Sequence, residues 1–330
     1  MKKALIVSNQ TDMIYSPETI ERIGEKVNLL APPKRDDVLK TDPDLLSEAE
    51  IIMSGWGGPR LDEAFFKGSP QLKAFFYGAG SLRGLVTDTC WERELVICSA
   101  WEMNAIPVAE FALAQIILAL KQVFICSREM CEQRTHFIPS TKRIHGTYRA
   151  TVGLISLGAI GKRLSRRLQT LDVKVLAYDP FASEDDAAEL GLELTDLDSI
   201  FREADVVSLH TPWLEETENM IQGRHFRMMK ADAAFINTAR GAVVDEAAMI
   251  EALNERPDLF ALLDVTHPEH PAKDSPLWSM KNVFLTPHIA GSQGRECLRM
   301  GDAMCDELER YLQGEPLLYQ IDGQKFARMA

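Results

Sequence analysis

The chain is poor in positive charge. Among its 330 residues, 36 lysines and arginines face 49 aspartates and glutamates, a formal net charge of −13. No Lys/Arg run is longer than a pair. That balance repels nucleic-acid phosphates and anionic membrane surfaces, so neither is expected as a partner. Long uninterrupted apolar runs are also lacking. The longest, "AIPVAEFALAQIILALKQVFIC" (Ala105–Cys126), is broken by Glu110, Gln115 and Lys121, and reads as a helix buried in a core or subunit interface rather than a membrane span. At the N-terminus the apolar segment of "MKKALIVSNQ" runs only from Ala4 to Val7, too short for a secretory signal peptide. Cysteines number six (Cys90, Cys98, Cys126, Cys131, Cys297, Cys305), with no C-x-x-C pair and no histidine at metal-ligand spacing. A disulfide scaffold and a metal cluster are therefore not expected, and reduced thiols in a cytoplasmic protein are. There is no internal repeat, low-complexity segment or long Pro/Gly/Ser linker.

What is present is a rhythm of short apolar runs and helical intervals. At 46% hydrophobic residues the chain can build two domains with substantial cores. Near the start, "ALIVS", "EIIMSG", "LKAFFYGAG" and "LVICSA" each read as a buried strand ending in a turn, the pattern of a parallel α/β sheet. A second series follows: "TVGLISL", "KVLAYD", "VVSLHT", "AFINTA", "ALLDVT" and "VFLTPH". Six strands with crossover helices make a doubly wound sheet. After His288 the chain returns to helix, with Leu298, Ala303, Leu308 and Leu312 as its expected apolar face.

The turn after "TVGLI" approximates the dinucleotide fingerprint G-x-G-x-x-G as Ser156-Leu157-Gly158-Ala159-Ile160-Gly161. In such a turn, backbone N–H groups at a helix N-terminus meet a pyrophosphate. Gly158 lets the backbone approach and Gly161 lets the helix pack on its strand. Serine replaces the first glycine, tolerable at negative φ and costing about 1–2 kcal/mol at positive φ. The next strand ends in Asp179, 23 residues beyond Ser156. An acid there accepts hydrogen bonds from ribose hydroxyls and repels a 2′-phosphate, so NAD is expected over NADP.

Three further strand ends carry chemistry. Arg240 follows "FINTA", Asp264 and Glu269 follow or end "ALLDV", and His288 follows "VFLTP". An arginine, a carboxylate and a histidine at one sheet edge suit hydride transfer to a 2-oxo acid. The guanidinium fork holds the carboxylate and polarises the carbonyl. Histidine delivers the proton to the developing alkoxide. A carboxylate beside the ring stabilises its protonated form. His210 in "SLHTP" is expected to shape the cofactor pocket, and His267 and His270 lack a third metal ligand.

With these stretches, "PVAEFALAQIILAL", "AYDP" and "EPLLYQ", the chain resembles the D-isomer-specific 2-hydroxyacid dehydrogenases over essentially its whole length. The resemblance implies that Arg240 binds substrate, Glu269 tunes the histidine and His288 is the acid/base. It implies cofactor contacts from Ala159, Ile160, Asp179, Thr211, Thr238, Ala239, Arg240, Asp264, His288 and Gly291, and substrate contacts from backbone amides of Gly78–Ser81, Ala79 and Gly80 among them. It also implies a Rossmann cofactor domain (102–292) inserted into a flavodoxin-like substrate domain (1–101 plus 293–330), and a homodimer built on the helix from Val108. Two departures stand out: Ser156, and His270 where proline commonly follows the glutamate. Glu269 argues against a formate-dehydrogenase-like activity, which carries glutamine there. The expected function is an NAD-dependent oxidoreductase of a small D-2-hydroxy acid, such as one acting on glyoxylate or hydroxypyruvate. The alternatives are a non-catalytic, corepressor-like NAD-dependent regulator and a phosphoglycerate-dehydrogenase-like enzyme, for which Arg60 and Arg83 are candidate phosphate ligands.

Overall fold

The computed structural model describes residues 1–134 and 143–329. The chain forms two compact units, one of Met1–Ala105 with the chain from Ser292 onward, the other Ile106–Gly291. The expected cuts fell at 101/102 and 292/293. The first lies a turn later because the helix Trp101–Leu120 begins seven residues before Val108 and places Trp101 and Met103 in the first unit's core. Pro107 lies inside this helix, where it lacks the N–H that would bond the Met103 carbonyl.

The first unit is a five-stranded parallel sheet of β1 (Lys3–Val7), β2 (Asn28–Leu29), β3 (Ile51–Ser54), β4 (Ala74–Tyr77) and β5 (Val96–Ser99), in the order β2-β1-β3-β4-β5. The strands are continuous apolar runs because both faces are covered. On β4, Phe75 and Tyr77 enter one core cluster and Ala74 and Phe76 the other. The helix Glu296–Gln313 covers the second face with Cys297, Met300, Met304 and Leu308. This departs from the expected stripe: Ala303 is buried, but Leu298 and Leu312 are only partly so. The 3-4 spacing of the buried set follows the helix better than the leucines do.

The second unit holds seven parallel strands: β6 (Ala150–Ile155), β7 (Val173–Tyr178), β8 (Glu193–Leu194), β9 (Val206–Leu209), β10 (Ala234–Asn237), β11 (Phe260–Leu263) and β12 (Val283–Leu285). Their order is β12-β11-β10-β9-β6-β7-β8. The chain winds outward from β6 through β8, then returns to β9 on the other side of β6. The winding therefore reverses between β6 and β9, which is where a doubly wound sheet opens a ligand crevice at its carboxyl edge.

Candidate active site

The two loops at the reversal are Ser156–Gly158 after β6 and His210–Thr211 after β9. They are joined directly, Ser156 Oγ lying 2.8 Å from Thr211 Oγ1. Ser156 has φ +77, the left-handed conformation in which a side chain costs about 1–2 kcal/mol. Serine thus accepts the glycine's backbone shape and uses its hydroxyl to tie the two loops. The reason for glycine at 161 is steric: a Cβ there would stand 2.2 Å from the Ser156 carbonyl oxygen. At Gly158 the opposite holds, since a Cβ would meet no protein atom within 4 Å. The helix Ala159–Leu168 starts here, its first helical bond running from the Lys162 N–H to the Gly158 carbonyl. The preceding N–H groups of Ala159, Ile160 and Gly161 are left for an anion. Asp179, past β7, accepts the Leu157 N–H at 2.6 Å and the Phe181 N–H at 2.8 Å. It braces the loop while putting a negative charge beside it.

Two buried polar atoms on this edge, Thr238 Oγ1 and His210 Nδ1, have no hydrogen-bond partner among the described residues. With the open side of Gly158 and the helix amides, they fit a polar dinucleotide laid across the strand ends. Burial depresses the His210 pKa to about 4, so the ring is neutral at neutral pH. Its Nε2 meets Ser208 Oγ at 3.0 Å.

The catalytic candidates lie at the ends of β10, β11 and β12. His288 Nδ1 and Glu269 Oε1 are 2.5 Å apart, both side chains about half exposed. With the carboxylate ionised, Nδ1 carries the proton and Nε2 is the nitrogen free for exchange. Arg240 is largely buried, and its Nη1 donates to the Ala239 carbonyl at 2.6 Å. No carboxylate lies within ion-pair distance of it among the described residues. Burial pulls its pKa below the ordinary arginine value, and the charge of Glu269 opposes that pull. A desolvated guanidinium without a salt bridge is a receptor for a carboxylate.

Sequence reading misses Asn237 and the bracing role of Asp264. Asn237 Oδ1 accepts the Ala239 N–H at 3.0 Å and its Nδ2 donates to the Arg240 carbonyl at 3.0 Å, fixing the turn that carries Arg240. Asp264 was expected as a cofactor contact, yet its carboxylate is buried and turned on the histidine loop. Its Oδ1 accepts Thr286 Oγ1 at 2.5 Å and the Ile289 N–H at 2.9 Å, and its Oδ2 accepts the Ala290 N–H at 2.8 Å. The loop then passes His288 at φ +53 and continues to Gly291. His270 stands at φ +67, which the ring of proline forbids, so the departure after Glu269 is a change of backbone as well as of side chain. Gly241 lies against the Thr266–His267 backbone, where a Cβ would come within 2.0 Å.

In the first unit, Ala79 and Gly80 are buried just past β4. Arg83 is spent on the C-terminal segment, donating to the carbonyls of Ala327 and Met329 and covering the ring of Phe326. Arg60 is exposed and has no ion pair among the described residues. Among those residues no group of three or more His, Cys, Asp or Glu is placed to hold a metal ion.

Comparison with known proteins agrees with this geometry. The model of the D-isomer specific 2-hydroxyacid dehydrogenase NAD binding domain matches residues 113–290. A D-3-phosphoglycerate dehydrogenase of Archaeoglobus fulgidus is 30% identical over 297 residues, covering 89% of this chain and 54% of that protein. The chain therefore spans about half the length of that relative. An (S)-sulfolactate dehydrogenase of Chromohalobacter salexigens is 31% identical over 293 residues, 86% of this chain and 94% of its own. The NAD-complexed crystal structure of a D-isomer specific 2-hydroxyacid dehydrogenase from Lactobacillus delbrueckii ssp. bulgaricus superposes with a TM-score of 0.77 at 26% identity, covering 97% of this chain and 100% of that one.

Proposed function

Because the chain belongs to the D-isomer-specific 2-hydroxyacid dehydrogenase family, we propose that it reduces a small 2-oxo acid to the D-2-hydroxy acid with NADH and a proton, and runs the reverse with NAD. The observation that carries this reading is the 2.5 Å His288–Glu269 pair at the same sheet edge as a part-buried arginine that has no salt bridge among the described residues. Bound nicotinamide supplies or accepts the hydride. The remaining roles fall to side chains. Arg240 binds the carboxylate through its planar fork and polarises the neighbouring carbonyl. His288 Nε2 gives its proton to the alkoxide oxygen, and takes it back in the oxidative direction. Glu269 keeps the proton on Nδ1 and stabilises the imidazolium.

A finer reading gives the substrate a second anionic group. Two relatives are named for a phosphorylated and a sulfonated hydroxy acid.

The test follows NADH absorbance with glyoxylate, hydroxypyruvate, phenylpyruvate, phosphohydroxypyruvate and sulfopyruvate. Turnover of any one supports the reaction, and preference for the last two supports the second anion. His288→Ala is expected to lose most turnover and keep NADH binding. A variant with near-wild-type turnover would show that another group moves the proton.

A further inference from the structure

The loop that carries Glu269 is tied down from a neighbouring helix. The His267 N–H, two residues before Glu269, donates to Glu246 Oε2 at 3.1 Å. Glu246 opens the helix Glu246–Glu255, which starts from a fixed base. Asp245 caps that helix by accepting the Ala248 N–H at 3.0 Å, and its own N–H donates to the Ile221 carbonyl at 2.8 Å. Gly241, next to Arg240, lies against the Thr266–His267 backbone. The His267 ring meets Trp213 edge to face, 5.3 Å between centroids. Within the loop, Thr266 Oγ1 donates to the Pro268 carbonyl at 2.9 Å. Glu246 is half-buried, and burial raises its pKa above the ordinary glutamate value, a rise that the His267 N–H opposes. No lysine or arginine lies within ion-pair distance of it among the described residues. Its charge is spent on main chain, not on a surface ion pair.

The pair that this loop presents needs such a hold. His288 and Glu269 are both about half exposed, and an exposed ion pair gains too little to order two side chains by itself. Their alignment has to come from the backbone that carries them. We propose that Glu246 is a positioning residue for proton transfer: its carboxylate grips the His267 N–H and so holds Glu269 against His288 Nδ1. This rests on the function proposed above. A glutamate in the first turn of a helix ordinarily reads as a complement to the helix dipole, which hides the role in sequence. The two readings differ in what they require of the side chain: the dipole needs charge, and the loop needs reach.

The experiment uses the full chain as Glu246→Gln, which keeps the reach and loses the charge, and Glu246→Asp, which keeps the charge and is one methylene shorter. Turnover is followed with whichever of the 2-oxo acids above the wild type reduces. Ring nitrogen chemical shifts give the tautomer of neutral His288, with His288→Ala assigning its signals. Glu246→Asp is expected to lose roughly 10-fold in kcat, part of what a positioned acid/base supplies, with a smaller change in KM and an unchanged NADH Kd. Its His288 should shift from the Nδ1–H tautomer toward Nε2–H. Glu246→Gln should stay within about threefold of wild type and keep the Nδ1–H form, because an amide oxygen in place is a weaker acceptor than a carboxylate but still an acceptor. The reverse order, with Glu246→Gln impaired and Glu246→Asp normal, overturns the proposal in favour of a dipole role. Wild-type kcat and tautomer in both variants overturn it as well. So does NADH binding that weakens in step with kcat, because Glu246 would then be a general support. If the wild type reduces none of the acids, the proposed function falls, and the tautomers alone decide whether Glu246 holds the pair.

Discussion

Ser156 sets two opposed effects of similar size against each other, and substitution can separate them. Replacing it by glycine removes the strain of a side chain at φ +77, worth about 1–2 kcal/mol. The same change loses the bond from Ser156 Oγ to Thr211 Oγ1, worth roughly 0.5–1.5 kcal/mol net. It also frees the unfolded chain, which costs about 0.4–1 kcal/mol more. Gain and loss nearly cancel, so Ser156→Gly is expected within about 1 kcal/mol of wild type. Alanine separates the terms, because it keeps the strain and loses the bond. Ser156→Ala should be the least stable of the three, by roughly 1 kcal/mol. Urea unfolding followed by a probe in the second unit measures the order. NADH titration should find all three within about threefold, since the helix amides that meet the pyrophosphate remain in place. An alanine variant as stable as the glycine variant would refute the argument: both lose the hydrogen bond, so the strain at φ +77 would then be no larger than the unfolded-chain term.

The remaining expectations concern the same edge. His210 has its pKa depressed to about 4 by burial, so between the unfolded value near 6.5 and 4 the unfolded chain binds a proton the folded chain refuses. Stability should therefore fall as pH drops through that window, by at most roughly 3 kcal/mol from this group, and level off below it. The pH slope of urea midpoints should flatten in His210→Asn; an unchanged slope would place the proton elsewhere. Gly161→Ala forces a Cβ to within 2.2 Å of the Ser156 carbonyl and should destabilise by about 1–3 kcal/mol. Gly158→Ala meets no protein atom within 4 Å and should keep stability while weakening NADH binding. Equal behaviour of the two variants in unfolding and NADH titration would contradict the assignment of different roles.

The architecture was legible because buried parallel strands are apolar on both faces. Runs such as "AFIN" and "FALL" announce themselves without alternation, and each points to the polar residue after it. That is how Arg240, Asp264 and His288 were found. The two strands that escaped, β2 and β8, are two residues long and lie at sheet edges. With Asn28 and Glu193 in them they carry no apolar signal. The braces escaped for another reason. The Asp264 carboxylate holds backbone 25–26 residues away, and Ser99 holds backbone 19–20 residues away at Ala79 and Gly80. A side chain that binds main chain leaves no mark on its partner's sequence.

The backbone itself was the least legible part, and it bears most directly on function. Ser156, His270 and His288 all have positive φ, at +77, +67 and +53. All three lie on loops that follow strands of the second unit, and none is glycine, the residue that would betray such a conformation. Each local sequence prefers another shape by about 1–3 kcal/mol, so the surroundings must impose the one observed. For Ser156 the restraint is Thr211 and the strand beside it. For His288 it is Asp264, whose carbonyl takes the His288 N–H at 2.9 Å and whose carboxylate takes the next two. The buried aspartate thus does for the proposed acid/base what the turn after β6 does for the cofactor: it fixes a strained loop in the one conformation observed. Loosening Asp264 should therefore release His288 from its alignment with Glu269 before it unfolds the sheet beneath.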